Sequence, residues 1–180
     1  MMPWTIVGRA RSRMVTVTAE TSVSSSLQAI WTALGRRPTY FYFPGIGGGA
    51  KAGPLTHVLD LPIVDRQEQT STLTVSRAGK DEHRERRFRL RGPLVRIAGR
   101  WELIPEDDAV RVRLTLDYEI APDLKTLAVN TLRSRSPLPI RTDADAIMSR
   151  AVDEFFETRF AEQAATYCAA LRERLDGRPA

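Results

Sequence analysis

The sequence predicts an α+β fold in which a curved antiparallel β-sheet is wrapped around one long C-terminal helix. Two changes of pattern lead to this prediction. From residue 55 to residue 120, apolar and polar residues alternate, as they do in strands that have one buried face. After Asp143 the apolar residues instead recur every three or four positions, which is the spacing of a helix buried on one side. The apolar face of the sheet needs such a cover.

The first elements are a strand and a short helical segment. The β-branched residues between positions 14 and 19 predict a strand. Ser24 to Ser26 offer hydroxyl groups that can cap a helix, and apolar residues then follow at helical spacing as far as Leu34. Gly35 follows and is expected to end this helix.

The clearest strands are residues 95–103 and residues 110–120, which alternate strictly on either side of an acidic turn. Three earlier strands are expected around residues 55–61, 70–77 and 82–91. Residues 121–142 are polar and show only one or two turns of helical spacing. The last apolar stripe runs to Leu175, and a helix of about 33 residues would be about 50 Å long.

Length and composition fit a single domain. The 180 residues can form one core but not two ordinary domains, so we expect a loose lead-in of residues 1–12 and one domain of residues 13–176. The chain has no apolar run long enough to span a membrane, and its start lacks the pattern of a secretory signal. We therefore predict a cytoplasmic protein. The single cysteine, Cys168, lies in the helical stripe, which favours a buried thiol over a catalytic one.

The net charge of +5 admits a nucleic-acid or acidic-lipid partner. However, the basic residues are interleaved with acidic ones, as in residues 81–87, and this favours a solvated strand face. Because no aromatic platform or binding motif accompanies them, we predict no nucleic-acid partner. Two histidines and one cysteine far apart give no metal-ligand spacing, and the glycine-rich residues 45–49 lack the ending of a phosphate loop. We expect no metal and no cofactor.

Residues 90–108, with Gly92-Pro93 and Gly99-Arg100-Trp101, and the alternating residues 110–120 resemble a known family. Together they are similar to the "GP…G-x-W…T-x-V-x-L-x-x-x-Y" stretch of the polyketide cyclase/dehydratase and coenzyme Q-binding branches of the START-like, helix-grip (SRPBCC) superfamily. The order of strand, short helix, aromatic loop, meander and long helix also agrees. The resemblance implies a helix-grip fold with a cavity between the sheet and the long helix.

The resemblance also implies that this cavity binds an apolar organic ligand. One expectation is a polyketide cyclase or aromatase-type enzyme that acts on a poly-ketone or related intermediate by aldol cyclisation or dehydration, without a metal or redox cofactor. The alternative is a non-catalytic carrier of a lipid, a quinone or a polyketide. The sequence leaves both open, because one cavity can serve either function. An acyl carrier protein is an admissible partner, and so is a second copy of the chain in a homodimer.

Arg77 is the first candidate catalytic residue. Residues 74–77 resemble the segment in which aromatase/cyclases place an inward arginine, and Arg77 shares the alternation of Leu73 and Val75. A guanidinium group there would polarise a ligand carbonyl and stabilise an enolate. The alternative is a strand-end arginine in solvent. The second inward arginine of those enzymes, one strand earlier, has no clear counterpart.

His57, Tyr40 and Tyr42 are the other catalytic candidates. A neutral imidazole can act as an acid or base near neutral pH, and the loop tyrosines can donate a hydrogen bond to a ligand oxygen. The alternatives are a core histidine and a packed aromatic plug. The candidate ligand-binding residues are the expected apolar walls, for which plain core packing is the alternative: Trp101, Tyr118, Phe88, Phe155, Phe156, Leu73, Val75 and Leu116.

Overall fold

A computed structural model describes residues 13–36, 55–59, 67–75, 84–135 and 143–177, with the side chains of residues 55–59, 67–71, 73 and 75 left out. The strands are β1 (Arg13–Val23), β2 (Leu55–Leu59), β3 (Gln67–Val75), β4 (Glu85–Arg91), β5 (Val95–Pro105) and β6 (Val110–Ile120). The helices are α1 (Leu27–Leu34), α2 (Pro122–Arg135) and α3 (Ala144–Asp176). These elements confirm the predicted α+β class.

The strands form one antiparallel sheet in the order β1-β6-β5-β4-β3-β2. Strands β2 to β6 follow one another as a meander, and β1 returns to pair with β6 along its whole length, from Arg13 opposite Ile120 to Val23 opposite Val110. The predicted hairpin joins β5 to β6, and the Glu106 N–H donates to the Ala109 carbonyl across its turn at 2.8 Å.

Burial along β6 alternates without a break. Its six apolar residues, from Val110 to Ile120, are buried, and the polar residues between them are partly exposed. We call the buried side of the sheet the inner face and the opposite side the outer face. In β5, Val95, Trp101 and Leu103 are buried on the inner face, as the alternation predicted.

Helix α3 has 33 residues and lies against the inner side of β1 and β6. Arg13 at the start of β1 forms an ion pair with Asp153 at 2.6 Å, and the Ser24 N–H just after β1 donates to Asp176 Oδ1 at 2.9 Å. The two elements therefore run in the same direction. At about 3.3 Å per strand residue and 1.5 Å per helix residue, both cover about 35 Å between these contacts. The expected helical cover of the sheet is confirmed.

Helix α1 begins and ends where the sequence predicted. Its N-cap is Ser26, whose Oγ accepts a hydrogen bond from the Ala29 N–H at 3.2 Å, and Gly35 follows its last residue. Helix α2 is different, because its 14 residues are nearly four turns where one or two were expected. Only Leu124 and Ala128 of α2 are buried, so its sequence carries little apolar periodicity.

Candidate functional site

An aromatic layer lies between the inner face and α3. Trp101 of β5 lies beside Tyr167 of α3, with ring centroids 5.3 Å apart. Tyr118 of β6 stacks on Phe160 of α3 at 3.8 Å with an angle of 5° between the rings. The layer consists of these four side chains together with two further buried ones, Phe88 and Phe156. It is a continuous apolar wall with polar atoms only on its tyrosine and tryptophan members.

Phe88 reaches this layer across Gly99. A Cβ atom placed on Gly99 would lie 2.1 Å from Phe88 Cζ, so the phenyl ring occupies the space that any other residue would need. The ring centroid of Phe88 is 6.4 Å from that of Trp101, two residues further along β5. The Gly-x-Trp sequence thus has a physical reason: the glycine admits the ring of β4 that packs beside the tryptophan.

Two hydrogen-bond donors in the layer have no acceptor. Trp101 Nε1 and the Tyr118 hydroxyl are both buried and make no hydrogen bond in the described part of the chain. A buried donor without a partner costs about 1–3 kcal/mol. Burial also raises the pKa of the Tyr118 phenol far above its usual range, so this group stays protonated at neutral pH and can donate but not act as a base.

The two donors lie well apart within the layer. Trp101 is opposite Leu114 in the β5–β6 register, whereas Tyr118 is opposite Ile97. Four residues therefore separate them along the strands, which corresponds to about 13 Å. A ligand that contacts both donors must be elongated.

Arg86 belongs to the charged residues 81–87, for which a solvated strand face was predicted, and for this residue the prediction was wrong. Arg86 is buried on the inner face of β4, opposite Trp101 in the register. Its guanidinium carbon lies 3.9 Å above the centre of the Trp31 ring of α1, a cation–π contact. Counting back in steps of two from Phe88 would have placed Arg86 on the inner face, but the surrounding charges hid this alternation.

Several predicted site residues are brought together in the layer. Phe88, Trp101, Tyr118 and Phe156 belong to it, whereas Phe155 is only half-buried. Leu116 is also buried on the inner face, where it lies opposite Gly99 in the register.

The other candidates lie wholly or partly outside the described residues. Arg77, Tyr40 and Tyr42 lie outside them entirely. His57 has a described backbone in β2, where it is opposite Gln69, and its side chain is not described. For Leu73 and Val75 the described backbone gives the register, in which they are opposite Leu90 and Phe88 of β4. The proposed functions of all these side chains stay predictions.

Cys168 is buried in α3, as expected. Burial, with a smaller contribution from the charge of Glu20, raises the pKa of its thiol to about 12, so the nucleophilic thiolate is absent at neutral pH. Among the described residues, no group of three histidine, cysteine, aspartate or glutamate side chains is placed to hold a metal ion. Over the same ranges, none of the helices combines the length and apolar character required to cross a membrane.

Comparison with known proteins gives similarity in structure only. No protein-family model and no curated protein matches the sequence. TTHA0849 from Thermus thermophilus is similar in structure at 16% identity and a TM-score of 0.54, over 89% of this chain and 96% of that chain. The di-domain ARO/CYC protein BexL from the BE-7585A biosynthetic pathway is similar at 10% identity and a TM-score of 0.56, over 92% of this chain.

The chain spans about half of the BexL di-domain, 51% of its length, so the match corresponds to one of two domains. In both comparisons the similarity extends over nearly all of this chain. This establishes the architecture that the Gly-x-Trp and alternating β6 sequences predicted: the chain has the helix-grip fold.

Proposed function

We propose that the protein binds an elongated, oxygen-bearing apolar ligand against the aromatic layer on the inner face of the sheet, and that it is a polyketide cyclase or aromatase-type enzyme. The observation that carries this proposal is the pair of buried donors without acceptors, Trp101 Nε1 and the Tyr118 hydroxyl. Ligand oxygens would supply the missing acceptors, and the free energy lost by burying the two donors alone would be recovered on binding.

A poly-ketone suits this arrangement in three ways. Its carbon chain is flexible and apolar, which matches the aromatic walls. Its carbonyl groups recur along the chain, so oxygens can reach two donors that are about 13 Å apart. The methylene groups between its carbonyls are acidic enough for enolate formation once a nearby donor or cation stabilises the negative charge.

The proposed reaction is an intramolecular aldol condensation. A base removes a proton from a methylene group, the resulting enolate carbon attacks a carbonyl carbon of the same chain, and the new alkoxide takes up a proton. Loss of water then gives the dehydrated ring. Arg77 is proposed to polarise the carbonyl, and His57, Tyr40 or Tyr42 to move the proton. The walls restrict the conformations of the bound chain, so that the carbons that react stay close to each other while its more distant oxygens reach the two donors.

BexL supports this reading, because a protein of the same architecture is an ARO/CYC.

One observation favours the second candidate, a non-catalytic carrier. The buried hydroxyl of Tyr118 stays protonated and therefore cannot serve as a base at neutral pH. A carrier would need only the walls and the donors, whereas an enzyme also needs one of the residues outside the layer.

Three conservative variants test the proposal. Trp101→Phe and Tyr118→Phe each remove one buried donor, and Tyr167→Phe makes the same chemical change at a hydroxyl that is not among the buried unpartnered atoms. Tyr118→Phe should melt at or above the wild-type temperature, whereas Trp101→Phe should melt below it, because the smaller ring leaves a cavity in the core. Both should bind a synthetic poly-ketone analogue about tenfold more weakly, the usual order for one lost hydrogen bond. Unchanged affinity in both would refute the assigned ligand site.

Turnover separates the two candidates. If the protein is a cyclase, Arg77→Ala should lower the rate of ring closure by a large factor, about 3 kcal/mol in the transition state, while the analogue still binds. Mass spectrometry of the intact purified protein gives a second readout. A retained prenylated lipid or quinone, together with no turnover of the poly-ketone, would establish the carrier instead.

A further inference from the structure

The outer face of β4 and β5 carries five exposed arginines, which we call the outer arginine patch. They are Arg87, Arg89, Arg91, Arg96 and Arg100. Residues two apart on one strand share a face, and the register joins the two rows directly: Arg87 is opposite Arg100, and Arg91 is opposite Arg96. The patch is thus a compact block of like charge at the centre of the sheet.

Carboxylates neutralise only part of this patch. Arg87 contacts Glu85 at 2.5 Å, Arg96 contacts Glu119 at 3.6 Å, and Arg100 contacts Glu102 at 3.9 Å. Within the described ranges, Arg89 and Arg91 have no carboxylate within 4.0 Å and no side-chain hydrogen bond. Like charges directly opposite each other on neighbouring strands destabilise a sheet. Folding alone therefore gives no reason for this arrangement, and a bound anion would.

The patch borders an open groove of about 540 Å³ on the outer face. Arg89, Arg91 and Arg96 line it together with the small exposed side chain of Ala98, which lies opposite Arg89. Met14 of β1 is 59% exposed at the same groove and supplies an apolar contact. A cylindrical element such as a helix can therefore approach the sheet backbone closely between the arginines and the methionine.

We propose that the outer arginine patch binds the acidic face of an α-helix from a partner protein. Arginines two apart on β4 are spaced by about 6.6 Å, and carboxylates four apart on a helix by about 6 Å, so a row of glutamates or aspartates matches the row from Arg87 to Arg91. Each guanidinium group can hold a carboxylate through two hydrogen bonds.

Nucleic acid fits this surface less well than an acidic helix does. Asp117 and Glu119 lie on the β6 side of the groove, where a continuous phosphate backbone would meet negative charge, whereas a helix that is acidic on one side only can turn an uncharged side toward them. No aromatic side chain stands at an outer position of β1, β4, β5 or β6, so there is no platform on which bases could stack. The positive area extends for about 13 Å along β4, which is the length of about two helical turns.

This inference does not depend on the ligand proposed for the interior, because the patch lies on the opposite face of the sheet. It is tested with a fluorescently labelled, alanine-based helical peptide of about 18 residues that carries glutamate at every fourth position. A permuted peptide of the same composition, with its glutamates distributed around the helix, is the peptide control. Binding is measured by fluorescence anisotropy in about 50 mM and about 300 mM NaCl.

The test variant is Arg89→Gln/Arg91→Gln. The matched control is Arg36→Gln/Arg150→Gln, which removes the same charge from exposed positions on α1's C-terminal side and on α3. We expect the test variant to bind the one-faced peptide about tenfold more weakly than wild type, which is within the range for two exposed ion pairs, and the control to differ by less than about twofold. The permuted peptide should bind wild type more weakly, and higher salt should weaken all binding.

Equal binding of the two peptides, or equal binding by the test variant and wild type, would overturn the proposal. A second result would also overturn it: wild type binds a single-stranded DNA of about 18 nucleotides more tightly than the one-faced peptide, and the test variant loses the DNA binding but not the peptide binding. The patch would then bind nucleic acid. Thermal melting of Arg91→Gln provides an independent readout, since removal of its repulsion from Arg96 should leave the melting temperature unchanged or raise it. The affinity for the synthetic poly-ketone analogue should not change in any of these variants.

Discussion

Replacement of Gly99 by alanine tests how closely β4 and β5 pack on the inner face. The added methyl carbon would lie 2.1 Å, 2.2 Å and 2.7 Å from three atoms of the Phe88 ring. Carbon atoms in contact are about 3.5–4.0 Å apart, so the ring would have to retreat by about 1.5 Å. The ring cannot move by this distance without steric strain, because Phe88 is only 2% exposed and lies beside Trp101.

Two opposing contributions set the size of the effect. Forcing an extra carbon into a packed core costs about 1–3 kcal/mol. Alanine in place of glycine within a strand recovers about 0.5–1 kcal/mol, because the unfolded chain has less freedom to lose. The Gly99→Ala protein should therefore be less stable by about 1–2 kcal/mol, which lowers the melting temperature by about 2–8 °C for a chain of this size.

Urea unfolding of a double-mutant cycle measures the contact itself. Phe88→Leu alone should destabilise the protein, because it leaves a cavity, and the added methyl of Gly99→Ala should partly fill that cavity. The two changes should then be less harmful together than their sum by at least about 1 kcal/mol. Ala98→Gly, at the exposed neighbouring position, gives the intrinsic cost of glycine in this strand. Additive effects, or a Gly99→Ala protein as stable as wild type, would show that the ring does not occupy this space.

Three further changes have expected outcomes of different kinds. The thiol of Cys168 has a pKa of about 12 in the folded protein and about 9 in the unfolded chain. The free energy of unfolding should therefore fall between pH 9 and pH 12, by up to ~1.4 kcal/mol per pH unit. Urea titrations of Cys168→Ala should show a smaller dependence on pH in this range. Asp153→Asn should lose about 1–2 kcal/mol, and an unchanged dependence of stability on salt would contradict the importance of its two ion pairs. Gly35→Ala should alter stability by less than about 0.5 kcal/mol, because its methyl group would meet only the movable end of Arg86, and a large loss would mean that this guanidinium is fixed.

Most of the fold could be predicted from periodicity. The alternation in β5 and β6 and the stripe in α3 are strong because each element buries one face against a single large partner. The length of helix α2 was underestimated, because α2 does not bury a continuous apolar face. It buries only Leu124 and Ala128, and an ion pair between Lys125 and Asp153 at 3.0 Å also holds it to α3. A contact between residues so distant in sequence leaves no periodic signal.

The candidate site was less predictable than the fold. Alternation placed Trp101 and Tyr118 on the inner face correctly, but whether a buried donor has an acceptor depends on neighbours from other elements. The burial of Arg86 likewise depends on a residue of another element. A buried arginine within a charged run is stabilised by the face of Trp31, which lies more than fifty residues away in sequence. Such a partner becomes visible only when α1 and β4 are placed side by side.

The same backbone register controls both proposed functional surfaces. In β5 the inner residue Trp101 is flanked by Arg100, which belongs to the outer arginine patch, and successive side chains of a strand point to opposite faces. A slip of one residue between β4 and β5 would bury arginine and expose tryptophan, so the register cannot drift without the loss of both surfaces. The ring of Phe88 over Gly99 fixes that register from the inner side, because only a glycine opposite Phe88 leaves room for it. The interior ligand and the acidic partner would therefore depend on a single close contact, although they would bind to opposite faces of the sheet.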